Sequence, residues 1–127
     1  MIVADASAAV SALLNSGAAR ELLARERVHV PHLVDVEVTS ALRRSVAAGR
    51  VTAAQGWAAL GTWRRLGVTR HAVTGLLDRV WELRENVTSY DATYVALAEA
   101  LDCPMVTTDG RLGRAPGLRC PVTVVPR

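Results

Sequence analysis

Four carboxylates in this chain stand where carboxylates are expensive. Asp5 ends the apolar run Ile2-Val3-Ala4, and Asp109 follows the run Met105-Val106-Thr107 by two positions. Glu37 falls on a helical stripe between Val34 and Ala41, in line with Val38 and Ser45. Asp91 shares a stripe with Tyr94, Val95 and Ala98 at i, i+3, i+4 spacing. By contrast, Glu21, Glu26, Asp78, Glu82 and Glu85 each have an Arg within two positions and read as solvated helix surface. A carboxylate on an inward face must be compensated. Four gathered together repel, and at least one is protonated near neutral pH unless a cation neutralises them. Oxygen donors of this kind suit Mg²⁺ or Mn²⁺, which keep several waters. Two such ions about 4 Å apart can clamp a phosphodiester, one activating water and the other stabilising the leaving oxygen.

Each acid also has a purely structural reading. Asp5 can cap a helix N-terminus, a contribution of about 1 kcal/mol. Asp91 can complete a capping box with Thr88. Asp109 before Gly110 can hold a turn, and Glu37 can pair with a folded-over Arg. The histidines do not make a zinc site: His29 and His32 flank Pro31, His71 stands alone, and all three read as surface residues.

The elements that must position these residues alternate between strand and helix. Residues 2–4 form a strand, followed by helices over 6–15 and 18–26 and a strand over 28–30 stopped by Pro31. A helix over 33–48 ends at Gly49, and Thr52 starts another running to Leu66, so the two make an αα-hairpin. Val68 and Thr69 seed a strand. The next helix, 74–85, carries Leu76, Leu77, Val80 and Trp81 inward. The stretch from Val87 to Asp109 is helix, tight connection and strand, with Thr88 or Ser89 as cap and Pro104 opening the strand. A loop over 110–117 precedes a last strand, 122–125. This order implies an α/β fold with a parallel sheet of four to five strands and helices on both faces. In such sheets ligands bind outside the strands' carboxyl ends, where Asp5 and Asp109 fall.

Length and composition bound the rest. The chain has 127 residues, which predicts one domain spanning 1–127. No apolar run approaches the roughly 18 residues of a membrane span, and Asp5 interrupts the first apolar stretch, so neither a membrane anchor nor a signal peptide is expected and the protein reads as soluble and cytoplasmic. Cys103 and Cys120 read as core thiols. The net charge is +3, and all fifteen basic residues are Arg. With no Lys, the chain cannot use a P-loop lysine or Schiff-base chemistry, and with no G-x-G-x-x-G a dinucleotide site is disfavoured. Arg suits a phosphate-bearing polyanion.

Three segments resemble a PIN-domain ribonuclease of the VapC toxin type. Ile2-Val3-Ala4-Asp5-Ala6-Ser7 is similar to the family's strand ending in Asp-x-Ser. Glu37-Val38-Thr39-Ser40-Ala41-Leu42 is similar to its helix Glu followed by a small-Leu step. Ser89-Tyr90-Asp91-Ala92, continuing to Val106-Thr107-Thr108-Asp109-Gly110-Arg111-Leu112, resembles its third and fourth motifs. The resemblance implies a PIN-like three-layer fold and endonucleolytic cleavage of RNA by metal-activated water. One or two Mg²⁺ or Mn²⁺ ions would be held by Asp5, Glu37, Asp91 and Asp109. Thr107 and Ser7 would be hydroxyls that position a carboxylate or a water, unless both are local caps. It also implies a small VapB-type antitoxin and a homodimer.

RNA contact would fall first to Arg111 and Arg114, next to Asp109, and then to Arg43 and Arg44, on the Glu37 helix. The chain has only Tyr90, Tyr94 and three Trp for base stacking, which favours selection of RNA by shape or single-strand geometry. Trp57 and Trp63 belong either to an interface or, for at least one, to packing against the preceding helix. The rival functions are a related nuclease of RNA maturation or DNA processing, a non-catalytic binding module of the same fold, and a small metal phosphatase.

Overall fold

The computed structural model describes all residues from Met1 to Arg127. Five strands form one parallel sheet: β1 (Ile2–Ala4), β2 (Val28–Pro31), β3 (Thr69–His71), β4 (Met105–Thr107) and β5 (Val122–Val124), in the order β3-β2-β1-β4-β5. β1 and β4 are apolar and buried at every position bar the equally buried Thr107, as central parallel strands are. The helices are α1 (Ala6–Leu14), α2 (Ala18–Arg25), α3 (Val34–Ala47), α4 (Ala53–Arg65), α5 (Leu77–Glu82) and α6 (Ser89–Leu101). The chain winds outward from β1 through β2 to β3, then crosses back over the sheet to β4. Crossovers are right-handed, so this reversal puts α1–α4 and α5–α6 on opposite faces and makes three layers. The gap between β1 and β4, where the winding changes direction, is where such a sheet opens a crevice at its carboxyl edge.

Three of the six helices start at a side-chain cap. Asp5 caps α1, its Oδ1 accepting from the Ala8 amide. Thr52 and Gln55 form a reciprocal capping box at α4, and Thr88 caps α6 through the Asp91 amide. α3 and α4 make the expected hairpin. Trp63 is its anchor: the ring is 1% exposed, and its Nε1 donates to Asp35 at 2.7 Å. Asp35 also takes the Arg70 fork at 2.8 and 2.9 Å, which ties the edge strand β3 to α3. Trp57, by contrast, is exposed, with the Arg64 guanidinium over its ring. No helix is long and apolar enough to cross a membrane. Cys103 and Cys120 are buried free thiols.

Two expectations are corrected. The helix predicted over 74–85 is a 3₁₀ turn, Thr74–Leu76, followed by the short α5. The tighter turn shifts the helical phase, so Leu77 and Trp81 face solvent while Val80 and Leu83 enter the core. His71 does not stand alone either. Parallel pairing of β2 with β3 brings its Nε2 to 2.8 Å from Nδ1 of half-buried His29.

Candidate active site

The residue at the centre of the site is Asp5, carried to the sheet's carboxyl edge by β1. It is 6% exposed, and three donors converge on it. Ser7 Oγ donates to Oδ1 at 2.6 Å, the Ala8 amide to the same oxygen at 2.9 Å, and Thr107 Oγ1 to Oδ2 at 2.5 Å. A carboxylate has about four lone-pair sites, so helix capping leaves Asp5 able to face a ligand as well. Burial still pushes its carboxyl above the usual range, against the downward pull of the Ser7 and Thr107 hydroxyls and the Ala8 amide.

Thr107 and Ser7 lash the ends of β1 and β4 together. Thr107 is fully buried at the end of β4, and while it donates to Asp5 it accepts from the Asp109 amide at 3.0 Å. Ser7 accepts from the Thr108 amide at 3.0 Å while donating to Asp5. The loop that carries Asp109 is thereby hung from the hydroxyls that hold Asp5. Asp109 also forms the turn its Gly110 neighbour suggested: its Oδ1 accepts from the Arg111 amide at 2.9 Å, and the Arg111 guanidinium lies 3.3 Å away. The Arg111 side chain and amide hold the Asp109 carboxyl below its usual value.

Glu37 comes from α3 and Asp91 from α6. No Arg folds over Glu37; instead the buried Tyr94 hydroxyl, one turn beyond Asp91, donates to its Oε1 at 2.5 Å. Burial raises the Glu37 carboxyl, the Tyr94 hydroxyl opposes this, and the charges of Asp5 and Asp91 add to the rise. Asp91 is raised by burial, then by Asp5 and Asp109, against the Thr88 hydroxyl. These mutual effects link Asp5 to Glu37 and Asp91, and Asp91 to Asp109.

All four acids line one cleft of about 990 Å³. Ser7 and Thr108 line it too, while Thr107 acts from behind, through Asp5 and the Asp109 amide. No three of the acids, with or without a His or Cys, converge tightly enough to close a cage of protein ligands. Oxygen donors set apart in this way fit a hard ion that keeps water in its shell, such as Mg²⁺, better than one that demands a closed protein cage.

The arginines expected to contact RNA divide by position. Arg44 lines the cleft; Arg43, Arg111 and Arg114 are exposed and do not, and Arg111 is engaged with Asp109. Arg50 and Arg127 line it and were missed. The signal for Arg50 was present in Gly49, which takes φ +71° at the end of α3 and turns the chain so that the Arg50 amide bonds Ser45 O at 3.0 Å. Nothing in the local sequence marks Arg127.

The sequence matches the PIN domain family over residues 2–118, and the chain belongs to that family. Within it the chain falls among the VapC ribonucleases. It is 61% identical over 127 residues to Ribonuclease VapC9 of Mycobacterium tuberculosis, covering 100% of both chains. Two crystal structures share the fold. The Mycobacterium tuberculosis toxin VapC20, described as sarcin–ricin loop cleaving, matches with a TM-score of 0.66 at 22% identity over 93% of this chain and 96% of that one. VapBC2 of Rickettsia felis, bound to a DNA fragment from its promoter, matches with a TM-score of 0.70 at 15% identity over 97% and 98%.

Proposed function

We propose that this chain is an Mg²⁺- or Mn²⁺-dependent endoribonuclease, the toxin of a toxin–antitoxin pair working in the cytoplasm. One observation carries the reading: Asp5, Glu37, Asp91 and Asp109, separated by up to 104 positions, line a single cleft in which burial raises three of them and the charges of neighbouring acids add to the rise at Glu37 and Asp91. That arrangement is unfavourable alone and favourable around a cation. The four acids would hold one or two ions, with water completing each shell. A bound ion supplies an activated water and charge to stabilise the oxygens of the phosphodiester.

The remaining work belongs to the chain. The Ser7 and Thr107 hydroxyls orient Asp5, and the Tyr94 hydroxyl orients Glu37. Arg44, Arg50 and Arg127 draw the RNA backbone toward the cleft, with Arg43, Arg111 and Arg114 on the surface around it. Identity to Ribonuclease VapC9 supports RNA as substrate. The pairing implied by the name VapBC2 supports a VapB-type antitoxin as partner, and the family resemblance extends to a homodimer.

The test is RNA cleavage by the purified protein with Mg²⁺ or Mn²⁺ and with chelator. Cleavage should need the ion, and Asp5→Asn and Asp91→Asn should each lower it at least about 100-fold while circular dichroism stays that of the parent. Normal cleavage by both variants, or full cleavage in chelator, refutes the assignment. Growth arrest on expression, relieved by a small neighbouring gene product, tests the toxin role separately.

A further inference from the structure

The chain has five Phe, Trp or Tyr rings, three Trp and two Tyr, and four of them are already committed. Trp63 and Tyr94 are each 1% exposed. Trp57 and Trp81 are exposed, but each carries a guanidinium over its ring, Arg64 at 5.4 Å and Arg84 at 4.8 Å, and neither lines the cleft. Tyr90 remains. Its ring is 63% exposed, lines the cleft, and sits on the first turn of α6 immediately before Asp91. Val36, 74% exposed, lines the same cleft from α3. Neither apolar surface gives anything to a metal ion or a phosphate. A nucleobase is the part of an RNA strand that gains from them.

Resting on the ribonuclease reading above, we propose that Tyr90 is the stacking platform for one unpaired nucleobase beside the scissile phosphate. Bases within a duplex are already stacked on both faces and gain nothing from an added ring. A splayed base in a loop or single strand does. Arg44, Arg50 and Arg127 line the same cleft and can hold the adjoining phosphates, so the strand is gripped by its backbone as well as by one base. The shortage of aromatic residues in the sequence therefore does not exclude stacking; one displayed ring next to Asp91 is enough for a single base.

The test is a cycle between the ring and the base. A single-stranded RNA that the parent cuts with Mg²⁺ is prepared as a series, each member carrying one abasic nucleotide. On intact RNA, Tyr90→Ala should lower kcat/KM about ten-fold, the scale of one lost base–aromatic stack, and Tyr90→Phe should match the parent. At one position flanking the cut, the abasic RNA should lower the parent to the Tyr90→Ala level and leave Tyr90→Ala no worse. Fluorescence anisotropy of labelled RNA in chelator, where nothing is cut, should show the same order of affinities. The proposal is overturned if Tyr90→Ala equals the parent, if its loss is the same at every abasic position, or if Tyr90→Phe is as weak as Tyr90→Ala. A parent that cuts no RNA overturns the ribonuclease reading itself, whereas a parent that cuts with an indifferent Tyr90 overturns only the stacking.

Discussion

Replacing Thr107 by Val separates the ordering of Asp5 from its presence. Valine has nearly the shape of threonine, and Thr107 is fully buried, so the volume is kept and only the hydroxyl is lost. Three hydrogen bonds go with it: the 2.5 Å donation to Asp5 Oδ2, the 3.0 Å acceptance from the Asp109 amide and the 3.3 Å contact with the Ser7 hydroxyl. A buried hydrogen bond to a charged group contributes about 1.5–3 kcal/mol, and an amide left without an acceptor adds to the loss. A total near 2–3 kcal/mol lowers the melting temperature of a domain this size by roughly 10 °C. The same hydroxyl pulls the Asp5 carboxyl down against burial, so its removal lets that carboxyl rise further. The acidic limb of kcat/KM against pH should then move to higher pH, and activity at neutral pH should fall about 10- to 100-fold, the usual cost of removing a partner that orients a metal ligand. Ser7→Ala, which leaves the Thr107 bond in place, should move the limb less. Cleavage against pH in Mg²⁺, with a melt of each variant, decides it. A Thr107→Val protein that melts lower but keeps the parent's pH profile would show that the hydroxyl supports only the fold.

Further outcomes follow from the same geometry. Tyr94→Phe keeps the buried ring but removes the donor to Glu37, so Glu37 should rise further in pKa and the Mg²⁺ concentration for half-maximal cleavage should increase several-fold with little change in fold. Without metal, pH acts through Asp5, Glu37 and Asp91, each raised above its unfolded value. Their favourable effect is complete below the unfolded pKa and is lost as pH climbs through the folded one, so their contribution to the stability of the metal-free protein should fall from about pH 4 upward, while that of His29, held below its usual value, runs the other way. Asp91→Asn should lose less over that range and melt higher than the parent at neutral pH in chelator. A parent-to-variant difference that does not change with pH counts against the mutual repulsion of the acids.

Much of the site could be read from the chain because carboxylates in apolar surroundings are costly enough to mark themselves. Asp5, Glu37, Asp91 and Asp109 all reach the cleft. Capping by Asp5 and turn-holding by Asp109 each leave carboxylate lone pairs free, so neither role competes with holding an ion. Sequence could not show what depends on register or on distant chain. The Tyr94–Glu37 bond spans 57 positions, the His29–His71 contact follows from parallel pairing at an edge strand, and Arg127 lines the cleft from the far end of the sequence. The inward face of α5 was misjudged because one 3₁₀ turn ahead of six helical residues shifts the phase that a uniform 3.6-residue period assumes.

The central claim is that these four acids form one cation site, and Mn²⁺ titration by calorimetry in the absence of RNA tests it most directly. Saturable binding of one or two ions is expected, accompanied by proton release because raised carboxyls ionise as the ion enters, with binding lost in Asp5→Asn and weakened in Asp91→Asn. Heats indistinguishable between the parent and Asp5→Asn, with no proton release, would contradict it.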